Sequence, residues 1–304
     1  MTRFDPFMLP VLAILLFSCN TQPAKNAEKA AFRQTVATPQ PGFPLPSELQ
    51  ETSGLIYYHN LFWTFNDSGG ENILYGVDRN GNIQAEVTLN NARNVDWEDI
   101  AQDSAFIYLA DAGNNNGNRT DLVIYRISKA QLTPSGKSAA DADLIRFSFE
   151  DQQTFGYLPR TTPFDCEALV ATGENLYLFT KNWADETTTV YRLPAQPGEH
   201  TARRTALFEV NGLVTGADLA PSQQKLALSG YKNFRPFVWV FSQFEEDNFF
   251  SGEAAFFDLE PILDAQTEGI CFVSEDSLAI SCERTNSFRE QIFWLPLDPN
   301  QPAP

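Results

Sequence analysis

The chain has 304 residues, 43% of them hydrophobic and 13% aromatic, which suffices for a substantial core and excludes wholesale disorder. Against 39 Asp and Glu stand only 21 Lys and Arg, a net charge of −18 that repels phosphate backbones and argues against nucleic-acid binding. The two histidines, His59 and His200, are too few for a zinc hydrolase built on clustered imidazoles.

After Arg3 and Asp5 the chain runs apolar from Phe7 to Phe17, broken only by Pro10. Such a run is too short to span a bilayer as a helix but suits the apolar stretch of a secretory signal. It ends Leu16-Phe17-Ser18-Cys19, which resembles the lipobox of bacterial lipoproteins. The resemblance implies cleavage before Cys19 and lipidation of its sulfur; an ordinary signal peptide with a chance cysteine is the alternative. Acyl chains bury about 0.8 kcal/mol per methylene, enough to anchor the protein to a membrane without a transmembrane helix. Residues 1–18 therefore read as a signal peptide and 19–47 as a lipidated tether, with Phe32–Ala37 a candidate strand. Pro39, Pro41, Pro44 and Pro46 suggest extended geometry in the tether. Asn20, rather than Asp, follows Cys19, and no acidic run comes next. The outer membrane, periplasmic side, is the expected location, with surface display left open.

Residues 48–304 carry a diverged repeat. Leu55, Ile100, Leu169, Leu219 and Ile270 each sit in a short apolar segment, at intervals of 45, 69, 50 and 51. Each segment is followed by a second strand (Leu61–Phe65, Phe106–Ala110, Leu176–Thr180, Leu226–Ser229, Leu278–Ser281) and then by a third containing aromatic residues. Fourth strands are expected near Ile83–Leu89, Leu144–Phe149, Ala206–Val210 and Ala254–Leu259. Four short strands per unit predict an all-β, five-bladed β-propeller, with six blades or a β-sandwich as alternatives. The long interval carries an insertion around Asp151–Pro163, and the last unit is one strand short. Phe32–Ala37 is expected to supply that strand and close the ring.

Cys271 and Cys282 flank an expected hairpin, where they either form a disulfide in an oxidising compartment or stay as two reduced core thiols. Cys166 reads as a small buried hydrophobe.

Several strings are distinctive: Trp63-Thr64-Phe65-Asn66-Asp67-Ser68-Gly69-Gly70, Asn94-Val95-Asp96-Trp97-Glu98-Asp99-Ile100-Ala101, Gly113-Asn114-Asn115-Asn116-Gly117-Asn118-Arg119, Asp165-Cys166-Glu167-Ala168-Leu169 and Gly212-Leu213-Val214-Thr215-Gly216-Ala217-Asp218. From Leu49 to Leu297 the chain resembles a family of exported β-propeller proteins of Bacteroidetes-type bacteria, and more distantly SdiA-regulated and phytase-like propellers. The resemblance implies fold and export but assigns no activity.

In a propeller the start of each first strand and the end of each second strand lie on one face of the disc. This places Ser53, Glu98, Glu167, Ala217 and Glu268, and behind them Glu51, Asp96, Asp165, Thr215 and Gln266, at one mouth of the central channel. Asp67, Asp111, Lys181, Tyr231, Glu283 and Arg284 join them from the second strands, Asp218 from the fourth unit, and Arg119 by reaching back across its Asn-rich loop. Carboxylates so crowded repel one another unless a cation neutralises them, Lys or Arg pairs with them, or some stay protonated. Calcium suits oxygen-only ligands, and Glu98, Glu167 and Glu268 are the candidate metal set. The competing account is structural: carboxylates bonded to backbone N–H groups of neighbouring blades and paired with Lys181 and Arg284. The loop Asp111–Asp121 fails as an EF-hand, because Asn116 and Leu122 stand where Gly and Glu are required, and reads as turns. Trp97 and Trp183 are the two indoles placed to stack on a ligand. Two functions follow: a noncatalytic module binding a small ligand, a cation or a protein partner, or a calcium-dependent propeller hydrolase of lactonase or phosphoesterase type, whose catalytic residues the sequence does not assign.

Overall fold

The apolar residues of the body come in short runs separated by turn-forming Asn, Asp and Gly, too brief for helices and the right length for buried strands. A computed structural model describes Met1 and residues 32–298, so Cys19, the signal and the first part of the tether lie outside the described residues. Among those described, helix is confined to three single turns, Ser47–Leu49, Lys129–Gln131 and Glu260–Ile262.

Two strands precede the repeat, β1 (Arg33–Val36) and β2 (Gln40–Pro44). The first unit is β3 (Ile56–Tyr58), β4 (Leu61–Thr64), β5 (Ile73–Val77) and β6 (Ile83–Leu89). The second is β7 (Trp97–Gln102), β8 (Phe106–Asp111) and β9 (Val123–Ser128), followed by β10 (Gly136–Ala140), which crosses to pair with β6, and then β11 (Asp143–Phe149). The third is β12 (Cys166–Thr172), β13 (Asn175–Thr180), β14 (Thr188–Pro194) and β15 (Gly198–Phe208). The fourth is β16 (Leu213–Leu219), β17 (Lys225–Lys232), β18 (Arg235–Ser242) and β19 (Glu253–Asp258). The last contributes β20 (Thr267–Ser274), β21 (Ser277–Cys282) and β22 (Gln291–Pro296).

Within each unit neighbouring strands pair antiparallel, with β11 rather than β10 beside β9 in the second. The first strands neighbour one another in a closed cycle, β3 to β7, β12, β16, β20 and back to β3. The apolar core divides accordingly into five clusters, one between each pair of successive units. Ile56 and Trp63 meet Ile100 and Ile107 between the first two units, and Cys271 and Trp294 meet Leu55 and Phe62 where the last meets the first. Each unit is buried on both faces, so strands such as β4 are apolar on successive residues rather than alternating. Burying one such side chain contributes about 2–3 kcal/mol. The chain is an all-β propeller.

Two expectations need correcting. The strand that closes the last unit is β2, antiparallel to β22, whereas β1 adds a parallel strand outside β19 of the fourth unit. Prolines are tolerated in β2 because it is an edge strand and its pairing slips between Pro41 and Pro44. Phe43 anchors it against Phe62 and Trp294. Nor do Cys271 and Cys282 face each other. The register sets Cys271 opposite Ala279 and Cys282 opposite Thr267, the two lie in different apolar clusters, and all three cysteines described are free and buried.

Candidate functional site

In four units the pairing of first and second strands slips near the start of the first strand, between Trp97 and Asp99, Cys166 and Ala168, Val214 and Gly216, and Thr267 and Ile270. The residues skipped are Glu98, Glu167, Thr215 and Glu268 with Gly269. A bulge leaves one residue unpaired and re-aims its side chain. Here it frees the glutamates from an alternation that would drive them into the apolar layers between units. Thr215, not Ala217, occupies this station in the fourth unit. Its anchor is Ala217, because Ala217 N and Leu169 N both donate to the same Asp99 carboxylate, at 3.2 and 2.8 Å.

The bulges deliver Glu98, Glu167 and Glu268 to a cavity of about 130 Å³ at one mouth of the channel, lined also by Ser53, Asp67, Lys181, Trp183 and Tyr231. Asn115 and Arg160 close the rim. Lys181 Nζ lies 2.5 Å from Glu167 Oε2 and sits between the rings of Trp183 and Tyr231, at 5.1 and 5.3 Å from their centroids. Burial works against its charge, but Glu167 and Glu268 outweigh burial and hold the ammonium protonated. Asp165 is fully buried and spent on protein donors, accepting from Asn114 N at 2.6 Å and Trp183 Nε1 at 2.7 Å.

Close to Glu98 lie Asp67 and Asp96. Asp67, Asp96 and Glu98 offer carboxylate oxygens within 4.8 Å of one another, as do Glu98, Asp165 and Glu167. Burial, then the charges of Asp67 and Asp165, push the Asp96 carboxyl up to about 7. Burial, then Glu167, Asp67 and Asp96, hold Glu98 well above the ordinary carboxylate range. Burial lifts Glu268 to about 7 and, with the Glu268 charge next, Glu283 to about 9. Lys181 inside and Arg160 at the rim do not balance this many acids, so the mouth either retains protons or takes up a cation.

The remaining sequence-predicted residues divide. Asp111 holds Asp96 N at 3.1 Å and pairs with Arg119 at 2.8 Å, so the Asn-rich loop does reach back, and the pair positions the start of β7. Arg284 pairs with Glu290 at 2.6 Å, is absent from the cavity wall, and does not neutralise the mouth. Asp218 lies at the opposite mouth, where a cavity of about 420 Å³ is lined by Gln102, Asp103, Val170 and Phe272. Glu268 belongs to neither close carboxylate group, so the expected trio Glu98, Glu167 and Glu268 does not converge on one point among the described residues. Trp97 is fully buried against Phe65 and Tyr125, leaving Trp183 as the indole at the cavity.

Three residues outside the sequence prediction organise this mouth. Asn94 donates to the carbonyls of Asn66 and Asp67, both at 2.9 Å, and accepts from Trp97 N at 3.3 Å, tying the β4–β5 loop to β7. Asn114 links the second unit to Asp165 of the third. Arg160, from the insertion, lies over Trp183 at 5.5 Å. Two buried asparagines beside acidic strings are the only signal the sequence offers for the first two.

No family model matches the chain, and no curated protein does. Among solved structures it is similar to the calcium-binding protein regucalcin of Agrobacterium tumefaciens (12% identity, TM-score 0.45, covering 88% of this chain and 95% of that one). It is also similar to the Cps50 (Swd1) β-propeller domain of Myceliophteria thermophila (8%, 0.41, 86% and 100%) and to a chain of the nidogen/laminin complex (12%, 0.41, 80% and 79%). These likenesses concern the fold alone, and the architecture of this chain rests on its own strand order.

Proposed function

We propose that this is a lipid-anchored, extracytoplasmic, five-bladed propeller of the exported Bacteroidetes-type family, acting as a noncatalytic binding module for a cationic ligand through its acidic channel mouth. The observation that carries the reading is that Glu98, Glu167 and Glu268, bulged out of three separate units, share one small cavity with Asp67, and only Lys181 and the rim residue Arg160 stand against these four acids. A rigid ring fixes these groups before the ligand arrives, which lowers the cost of organising them.

Binding is favoured over hydrolysis because the hydroxyl and the amine that could serve as nucleophile at this mouth are committed elsewhere. Ser53 Oγ donates to Glu98 O at 2.6 Å, and Lys181 is a paired ammonium rather than a base. Attachment through Cys19 would hold the mouth near the outer membrane, and the stretch before β1 would give it reach.

Thermal shifts of the full-length protein in detergent micelles, measured against a panel of metal cations and small amines, test the binding reading. A saturable stabilisation by at least one cationic compound, abolished by the double variant Glu98→Gln/Glu167→Gln, is expected. Stabilisation that survives the double variant, or turnover of ester or lactone substrates, contradicts it. Loss of membrane association in Cys19→Ser tests the anchor.

A further inference from the structure

The two carboxylate groups that share Glu98 differ in how their oxygens are used. In the group of Glu98, Asp165 and Glu167, both oxygens of Asp165 accept protein donors and Glu167 is paired with Lys181. In the group of Asp67, Asp96 and Glu98, one oxygen of Asp67 accepts the adjacent Ser68 N–H, while among the described residues the carboxylates of Asp96 and Glu98 take part in no hydrogen bond or ion pair. Glu98 is 5% exposed and faces the cavity. A buried carboxylate without a donor is costly unless something else supplies the positive charge.

We propose that Asp67, Asp96 and Glu98 form a site for one hard divalent cation, calcium being the ion that fits its chemistry. This deepens the binding reading above and rests on it. Three observations exclude the other occupants. The nearby cations are placed elsewhere: Arg119 pairs with Asp111 and Asp121 at 2.8 and 3.0 Å, Lys181 pairs with Glu167, and the Arg160 guanidinium at the rim lies over Trp183. The rings of Trp183 and Tyr231, which would stack on an organic ammonium, already hold Lys181. All three donors are carboxylates, with no thiolate or imidazole in the group, and oxygen-only sets select calcium or magnesium over softer metals.

The backbone is shaped to the same purpose. Gly113 lies directly against Glu98 Oε1 and Asp96 Oδ2, and a Cβ there would collide with both. Asp111 holds the N–H groups of Val95 and Asp96, at 3.4 and 3.1 Å, and Asn94 fixes the carbonyl of Asp67. These contacts set all three ligand-bearing segments before any ion arrives.

The test is titration of the full-length, EDTA-stripped protein in detergent micelles with CaCl2 by calorimetry, alongside tryptophan-sensitised luminescence of Tb3+ and its displacement by Ca2+. One ion per chain is expected. Asp96→Asn, at a partly exposed position, should weaken binding roughly tenfold or more, and Gly113→Ala, which keeps every carboxylate, should do the same. Glu167→Gln should change the affinity by less than about threefold, since that side is neutralised internally. The opposite ranking, with Glu167→Gln abolishing binding and Asp96→Asn sparing it, would move the ion to the other group and overturn the proposal. Absence of any saturable Ca2+ or Tb3+ binding would also overturn it. In that event the binding-module reading survives only if a cationic organic compound still gives the Glu98-dependent thermal shift.

Discussion

The two mouths of the channel use inward-facing carboxylates in opposite ways. Away from the acidic mouth, Asp99 is fully buried yet accepts from Ile100 N, Leu169 N and Ala217 N, stitching the second, third and fourth units together. Asp218 does the same between the fourth and fifth, accepting Phe272 N at 2.8 Å. At the acidic mouth the Glu98 carboxylate, next to Asp99 in sequence, accepts nothing from the described residues. Adjacent residues of one strand thus carry the same charge into the same channel, one as a strut and the other as a free ligand. What separates them is the supply of backbone N–H groups, which the bulge at Glu98 removes.

The strut role is the easier to break. Asp99→Ala should cost about 2–5 kcal/mol in urea unfolding, because the N–H groups of Leu169 and Ala217 would be left buried without an acceptor. Asp99→Asn, which keeps an amide oxygen where Oδ2 accepts both, should recover most of the loss. If Asp99→Ala were neutral, Asp99 would belong with Glu98 among the free carboxylates and the contrast between mouths would collapse.

Glu98 should respond with the opposite sign. In EDTA, Glu98→Gln is expected to raise stability by about 1–2 kcal/mol, since it removes a carboxyl group penalised first by burial and then by the charges of Glu167, Asp67 and Asp96, and breaks no hydrogen bond. Thermal melts of the metal-free protein read this directly. A decrease in melting temperature would mean that Glu98 too is held by a donor.

Much of this architecture is legible in the sequence. The four-strand rhythm gave β6 residue for residue, and the positions of Asp67, Glu98, Glu167, Lys181 and Glu268 at one mouth follow from antiparallel return alone. What escapes is whatever depends on departures from regularity. A bulge leaves no mark in composition, so strict alternation cannot tell Glu98 from Asp99. The fourth unit slips by two residues because Val214-Thr215-Gly216-Ala217-Asp218-Leu219 offers two apolar anchors and only the hydrogen bonds to Asp99 choose between them. The closing strand hides in Gln40-Pro41-Gly42-Phe43-Pro44, where the prolines point to a tether and only burial of Phe43 against Trp294 reveals an edge strand.

Asp218 gives a subtler contrast, read through pH. Burial pushes its carboxyl up to about 7, against an unfolded value of about 3.9, so between those pH values the folded protein keeps a proton that the unfolded chain has released. Its contribution to stability is therefore greatest below about pH 4 and falls as pH rises to about 7. Asp218→Asn, which retains an acceptor for Phe272 N, should flatten this decline when urea unfolding is followed across that range. An unchanged slope would assign the decline to the acids of the other mouth.

The smallest effect expected is none at all, and it tests the register on which both mouths depend. Cys271 packs with Ala279 and Trp294 between the last and first units, and Cys282 packs with Ile280 and Phe293 between the fourth and last. Bringing the two sulfurs opposite each other would require β21 to shift by three residues, from Ala279 to Cys282 across from Cys271, an odd number that would move every buried side chain of β21 into the wrong apolar layer. Reductant should therefore leave the melting temperature unchanged. Alkylation in urea without reductant should label Cys166, Cys271 and Cys282 alike, as peptide mass spectrometry would show. Labelling of Cys271 and Cys282 only after reduction would reveal a different register in the last unit, and with it a different position for Glu268 at the acidic mouth.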